Sequence, residues 1–402
     1  MKYIFCGNMF SDIENDIRKM KVPPPVSSHK YQINILKGLL ANKQDVYIIN
    51  IPRVRYYPIY PQIIFHKKPF LGLPNIKGID IGFINLLGLN YLSQQIRLEI
   101  ELNKIIRKDE KYTLVSFNNY LPQNQAMVRI KRKKSNIYLC NILGDLHGSY
   151  GVKVANRHEG LLGKIIAKIE AKQDQLSAKS DAFGFLTKHM AKALGVENKP
   201  FVVIEGMYSG TKKEIINIDT IEKTIFYAGA VEEEYGILHL LRAFSMIPDK
   251  NYRLKIAGSG GAVSDVKEYA EKDVRISYLG YITPEQVDKF QSEATCLVNP
   301  RTSNHNYVKY SFPSKNMECL ASGKPYIAHE LICNPKEYKD YIQCPQDESD
   351  EALAKELIRV CSLSADERQK IASKAQDFII NEKNPEKQCK NIIDMMNKFE
   401  QE

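Results

Sequence analysis

Apolar and polar positions follow two rhythms along this chain. Short runs rich in Ile, Val, Tyr and Phe recur at intervals, and between them apolar residues return every three or four positions. The first rhythm is that of strands buried on both faces and the second that of amphipathic helices. Their alternation predicts parallel sheets with helices on both sides. In the first half the strand-like runs are KYIFC, DVYIIN, YTLVSF, NIYLCNIL and AFGFL. Helices are predicted over Ser27–Ala41, Tyr91–Lys108, Pro122–Lys133 and Leu161–Leu176. A further run, FVVIEG, precedes a polar stretch, and the rhythm restarts with TIFYAG, YRLKIAGSGG, VRISYLG, TCLVNP and PYIAHE. Between these, helices are predicted at Ile237–Ile247, Ala262–Lys272, Pro284–Ser292 and Ser314–Ser322. The tail from Ser349 reads as helical and ends in a charged helix after Pro385.

The fold class this predicts is α/β: two doubly wound, Rossmann-like domains facing a cleft, with ligand at the carboxyl ends of the strands. We place the first domain at residues 1–205, a linker at 206–223 and the second domain at 224–384, with a last helix at 385–402. A chain of 402 residues is long enough for two cores. The eight cysteines are scattered without a CxxC pair, which reads as reduced structural thiols. The N-terminal apolar run is short for a signal peptide, and no apolar stretch is long enough to span a bilayer, so a cytoplasmic protein is expected.

Charge changes the picture once it is split. Residues 1–200 hold 31 Lys and Arg against 15 Asp and Glu, a balance of +16, while residues 201–402 hold 26 against 32, a balance of −6. Two domains with different partners are implied. In the basic half RIKRKK (Arg129 to Lys134) is the densest run. EGLLGKIIAKIEAK follows, with Leu161, Leu162, Ile165, Ile166 and Ile169 on one helical face and Lys164, Lys168 and Lys172 beside it. That helix either packs on its own domain or lies on anionic lipid. No nucleic-acid module accompanies the charge, so nucleic acid is not an expected partner.

The segment richest in chemistry is LVNPRTSNHNYVKYSFPSKNMECLASGKPYIAHE, Leu297 to Glu330. It reads as a buried strand, a polar loop and a helix opening near Pro313. Ser314 and Lys315 stand at the helix start, and Glu318 lies one turn on, on the same side. A helix N-terminus with a lysine suits a phosphate, and a carboxylate nearby suits sugar hydroxyls. The apolar and small residues after Glu318 imply a packed helix; the bland reading of Glu318 is a solvated side chain. The turn AGSGG brings Gly258 and Gly260 to the end of a strand, where a ligand, or simply a turn, explains them. Neither GxGxxG nor GxxxxGK[ST] occurs.

The SFPSKNMECLASGKP stretch resembles the donor-site segment of retaining GT-B glycosyltransferases of family four, the glycosyl transferases group 1, in their SFPSKxxE subgroup. The resemblance covers about Ile225 to Glu330 and implies GT-B architecture, whose last helix commonly crosses back onto the first domain. It implies that Glu318 holds the ribose of a nucleoside-diphosphate sugar. Tyr310 stands where relatives carry the first glutamate of an E-x7-E pair, against the transferred sugar. In GAVEEEYG, beginning at Gly229, Ala230 and Tyr235 replace the Arg and Lys with which many relatives neutralise the leaving diphosphate. Lys315 and Arg301 are the nearest substitutes by motif, although surface cations are common. Tyr281 stands where relatives contact the base, and Gly7 and Asn8 where a loop meets the donor phosphates. Asp145 and His147, after the strand NIYLCNIL, fall where relatives place groups beside the reacting carbon; a cap and an ordinary loop histidine are the plainer readings. His29 is a candidate for the acceptor side.

The activity implied is transfer of a hexose-type sugar to a growing glycan or a lipid-linked acceptor, in surface polysaccharide synthesis, at the inner face of the cell membrane. No cofactor is implied, and no metal site is expected: there is no DxD pair and no HExxH spacing. The loss of the Arg, the Lys and the first Glu leaves open a non-catalytic nucleotide-sugar-binding protein. A nucleotide-sugar epimerase shares the architecture.

Overall fold

The computed structural model describes residues 1–20, 26–146, 160–215 and 220–401. The chain divides into two compact units, one made of Met1–Met207 with Pro385–Glu402 and the other of Tyr208–Asn384.

Unit 1 carries ten strands: β1 (Lys2–Gly7), β2 (Val46–Asn50), β3 (Ile64–Phe65), β4 (Lys68–Pro69), β5 (Lys77–Asp80), β6 (Phe83–Ile84), β7 (Tyr112–Phe117), β8 (Ile137–Leu143), β9 (Ala182–Phe185) and β10 (Phe201–Val203). Its helices are α1 (Ile13–Arg18), α2 (Val26–Ala41), α3 (Leu89–Ile105), α4 (Leu121–Lys133), α5 (Gly160–Ser177) and α6 (His189–Leu194). The main sheet runs β10-β9-β8-β7-β1-β2-β5-β4, parallel except for β4 against β5. Strand β1 shows why its run is continuously apolar. Tyr3 and Phe5 enter a core with Ile35, Leu36 and Leu39 of α2, whereas Ile4 and Cys6 enter the opposite core with Leu98 and Leu102 of α3. A strand buried on both faces has no polar side to present.

Unit 2 has β11 (Lys223–Ala228), β12 (Tyr252–Ala257), β13 (Ile276–Gly280), β14 (Cys296–Asn299) and β15 (Tyr326–Ala328), parallel throughout in the order β13-β12-β11-β14-β15. Helices α7 (Ile237–Ser245), α8 (Val263–Lys272), α9 (Pro284–Glu293), α10 (Lys315–Leu320), α11 (Asp350–Cys361) and α12 (Ala365–Glu382) complete it. Part of the stretch read as a linker packs within unit 2. Gln376 of α12 donates to the Lys213 carbonyl at 2.9 Å, and the Tyr208 amide donates to the Lys383 carbonyl at 2.9 Å.

The last helix, α13 (Pro385–Gln401), belongs to unit 1 and lies on α2. Cys389, Ile392, Ile393 and Met396 join the core that holds Ile35 and Leu39. Gly38 makes this approach feasible, since a β-carbon there would stand 2.2 Å from the Pro385 carbonyl oxygen and 2.4 Å from Cys389 Sγ. The sequence pattern missed the small β3–β6 pair and α1, which are too short to carry a period. Gly38→Ala is therefore expected to cost roughly 1–3 kcal/mol through overpacking. Urea unfolding of the purified chain measures this, and an unchanged midpoint would contradict the packing described.

Candidate active site

Both sheets reverse their strand order once, and a cavity lies at each reversal. In unit 2 the reversal falls between β11 and β14, and in unit 1 between β1 and β7. At such a point the two following loops depart in opposite directions and leave a crevice outside the carboxyl ends of the strands.

The unit 2 cavity measures about 280 Å³. Gly229 and its neighbours after β11, Asn299 and Arg301 after β14, and Ser314 and Lys315 at the start of α10 line it. Arg301 is 7% exposed, with its guanidinium 4.8 Å from the Tyr307 ring centroid and 5.3 Å from that of Tyr235. No carboxylate pairs with it among the described residues, and its Nε has no hydrogen-bond partner. Stacking on two rings returns about 2 kcal/mol each when desolvated, against several kcal/mol for an uncompensated buried ion. An anion in the cavity would supply the rest. Lys315 sits at the rim, 3.0 Å from Glu318. Burial acts to lower the Lys315 pKa, but the charge and hydrogen bond of Glu318 outweigh it and the net shift is upward. Its ammonium is thus secured at neutral pH. Cys319, also in the lining, has a thiol pushed up to about 12 by burial and so offers no thiolate.

The remaining sequence candidates of unit 2 lie outside this lining. Helix α10 is packed, with Asn316, Met317, Cys319 and Leu320 buried, yet Glu318 points to the other side and keeps 53% of its side chain exposed. The expectation that its neighbours bury it is corrected, because a single turn already separates the two faces. Gly258, at φ 139°, and Gly260 are accounted for by backbone packing: β-carbons there would lie 1.7 Å from the Gly229 carbonyl oxygen and 2.2 Å from that of Val231. The Glu232 carboxylate also covers Gly260 and Gly261, within 3.0 Å of where their β-carbons would be. The glycine turn is therefore locked onto the loop after β11 and faces a carboxylate. Tyr281 is 82% exposed after Gly280. Tyr310 is half-buried at the end of a 3₁₀ turn, under the Lys309 ammonium at 5.2 Å. Sequence reasoning missed Tyr307. It noted Tyr235 only as a lost cation, whereas the ring there holds another one.

The unit 1 cavity measures about 440 Å³ and brings together Asn8, Arg53, Asp145, Tyr120 and Gln173. The amides that follow β1 are already used: Asn8 donates to Gln32 Oε1 at 2.9 Å and Met9 to Asn50 Oδ1 at 2.8 Å. The Gly7–Asn8 turn thus offers a ligand side chain rather than free amides. Gly7 is absent from the lining, and its hydrogen leaves room for Met9 Cε and Asn50 Oδ1, which a β-carbon would meet at 2.7 and 3.0 Å. Asp145 is exposed at the carboxyl end of β8, and His147 lies outside the described residues. His29 lies outside the lining, against Phe10 at 5.5 Å, and burial lowers its pKa with help from the Arg53 charge. Arg53, which sequence reasoning passed over, donates to Ser28 Oγ at 2.5 Å; no motif marks it.

These two doubly wound units, each with its cavity at the strand reversal, have the GT-B glycosyltransferase fold. Solved structures share it. The lipopolysaccharide outer core galactosyltransferase WaaB aligns at TM-score 0.58 and 14% identity, covering 99% of each chain. Sucrose-phosphate synthase from Thermosynechococcus elongatus aligns at 0.63 and 14%, again over 99% of each. A Staphylococcus aureus TarM mutant, crystallised with fondaparinux, α-GlcNAc-glycerol and UDP, aligns at 0.54 and 13% over 79% of this chain. This chain spans 60% of that protein's length. No curated relative matches by sequence. Residues 208–378, nearly all of unit 2, match the family described as glycosyl transferases group 1. The C-terminal unit is thus similar to a group 1 glycosyl transferase domain, and the chain as a whole shares the GT-B fold.

At the carboxyl end of β15, His329 meets His239 with 2.9 Å between their Nε2 atoms. His239 Nδ1 bonds Asp350, which Arg242 also holds through Nε at 2.6 Å. Burial and then the charge of His239 pull the His329 pKa down to about 4, while Asp347 opposes them. The unfolded imidazole titrates near 6.5, so above that pH it is neutral in both states. Below it the unfolded chain takes the proton first, and stability falls until about pH 4, by roughly 3 kcal/mol in all. Urea unfolding from pH 7 to pH 4 should show a shallower decline for His329→Gln than for the wild type. Parallel curves would contradict this.

Proposed function

We propose that this chain transfers a sugar from a nucleoside-diphosphate sugar to a growing glycan or lipid-linked acceptor. The observation that carries the reading is Arg301: a buried guanidinium without a counter-ion among the described residues, oriented by two tyrosines, in a cavity it shares with Lys315. A leaving diphosphate develops negative charge as the glycosidic bond to it breaks. Two cations fixed beforehand stabilise that added charge more than they stabilise the less charged diphosphate of the intact donor, and one preorganised donor of this kind is worth about 3 kcal/mol of barrier. Arg301 and Lys315 take the place of the Arg and Lys that Ala230 and Tyr235 do not supply. Glu318, outside the cavity lining but paired with Lys315, accepts the ribose hydroxyls.

In unit 1, Asp145 and Arg53 flank the acceptor end, where a carboxylate is placed to draw a proton from a sugar hydroxyl. The family resemblance supports retention of configuration and catalysis without a resident metal. It also supports a role in surface polysaccharide synthesis, in which the +16 balance of residues 1–200 draws the enzyme to an anionic membrane surface.

A thermal-shift titration with UDP, GDP, ADP and CMP tests the donor site. One nucleotide at a hundred times its dissociation constant should add about 2.7 kcal/mol of stability. Arg301→Met should remove most of that shift while unfolding no earlier than wild type without nucleotide, since it deletes an unpaired buried charge. Glu318→Ala should remove part of the shift. If no nucleoside phosphate stabilises the wild type, the donor-site reading fails.

A further inference from the structure

Residues 46–101 hold six cations, Arg53, Arg55, Lys67, Lys68, Lys77 and Arg97, and three acids, Asp80, Glu99 and Glu101. Asp80 and Glu101 are 1% and 8% exposed and Glu99 is half-buried, so the segment shows solvent mostly positive charge, although Lys67 pairs with Glu101 at 2.7 Å. Among the described residues, the same segment holds most of the exposed large apolar side chains. On α3, Leu89, Leu92, Ile96 and Ile100 are all exposed, and steps of three, four and four residues place them on one stripe of the helix. Strands β3 and β6 pair Ile64 with Ile84, exposed at 57% and 43%. Ser93 of α3 ties the pair to the helix, donating to the Ile84 carbonyl at 3.2 Å and accepting from its amide at 3.1 Å. Between pair and helix runs an open groove of about 730 Å³, whose walls include Ile64, Ile84, Ile96 and Ile100, with Lys67 and Arg97 at its edges. Tyr56 and Tyr57, both exposed, lie alongside, Tyr57 bridging to Leu86 just after β6.

We infer that this face, built from α3 and the β3–β6 pair, docks on an anionic lipid bilayer. Exposed aliphatic side chains enter the boundary of the acyl layer, tyrosines sit at headgroup level, and the cations meet lipid phosphates. A second copy of this chain is the poorer fit, because a two-fold contact would set one cationic face against another. The charge-dense RIKRKK run is a weaker lipid contact than its composition implies. Lys131 pairs with Asp181, Arg129 lies 3.3 Å from Glu99, and Lys134 donates to the Ile106 carbonyl at 2.8 Å. Position adds a further reason. Tyr91, in the first turn of α3 next to Leu92, also lines the unit 1 cavity, so the docking face adjoins the place proposed for the acceptor. The inference rests on the proposed membrane association only for the class of partner; what it adds is the surface.

Co-sedimentation of the full chain with vesicles tests it. Vesicles of phosphatidylcholine with phosphatidylglycerol should bind the wild type at least tenfold more tightly than phosphatidylcholine alone. Leu92→Glu with Ile96→Glu should lower the affinity for anionic vesicles more than tenfold. Arg55→Gln with Arg97→Gln should weaken it by roughly fivefold per charge removed. Both variants should keep the wild-type melting temperature, because all four side chains are exposed. If the wild type binds and both variants bind equally well, the surface is wrong and the membrane reading stands. If the wild type binds no vesicle, both fail. If it sediments as a dimer that Leu92→Glu with Ile96→Glu dissociates, and binds no vesicle, the face is a self-association surface and the inference is overturned.

Discussion

Arg301 lies beneath the surface of the C-terminal unit with two tyrosine rings against its guanidinium and, among the described residues, no carboxylate paired with it. Nearly everything distinctive about the site follows from holding that charge in place. The strand order of unit 2 opens a crevice between β11 and β14, and Arg301 follows β14 directly into it. Tyr235, on the loop after β11, and Tyr307, in the 3₁₀ turn that precedes α10, close on it from two elements. The rings hold the cation by cation–π contact, Tyr307 also hydrogen-bonds it, and the Nε–H is left for a ligand. A buried cation of this kind has the full value of a preorganised charge, since no water must reorganise around it when a phosphate arrives.

The two units solve the same topological problem with different side chains. In each, a reversal of strand order sets a cavity at the carboxyl ends of the strands. The unit 2 cavity is small and cationic, with aromatic walls. The unit 1 cavity is wider and mixed, with Arg53, Asp145 and several amides. One suits a compact, highly charged group and the other a polyhydroxylated one, the division that the proposed donor and acceptor call for. The exposed apolar face of unit 1 stands apart from both cores, and it costs the protein solubility unless something covers it.

Most secondary structure was legible in the sequence because strands buried on both faces are uniformly apolar and the helices between them are periodic. The boundaries of α2, α4, α8 and α9 agree with the pattern to within one or two residues. The site was legible only in part. Arg301, Lys315 and Ser314 were found because they cluster in one segment, and the structure brings all three to one cavity. Tyr307 and Arg53 were missed because nothing local distinguishes them. Glu318 was read as buried from its neighbours, although one residue of helix rotation is enough to turn a side chain from the core to the solvent. The glycines at 258 and 260 looked like ligand-binding residues, and their need turned out to be a close backbone approach from a segment almost thirty positions earlier.

The sequence by itself determined the α/β class, the count of two doubly wound units and the segment that lines the unit 2 cavity. These depend on period and local order, which each stretch of chain carries within itself. Only the tertiary structure decided that Tyr235 and Tyr307 stack on one guanidinium, that α13 docks on α2 at Gly38, and that scattered isoleucines and leucines form one cationic-rimmed face. Those outcomes depend on which distant residues strand order and helix packing bring within a few ångströms, and no local pattern encodes that distance.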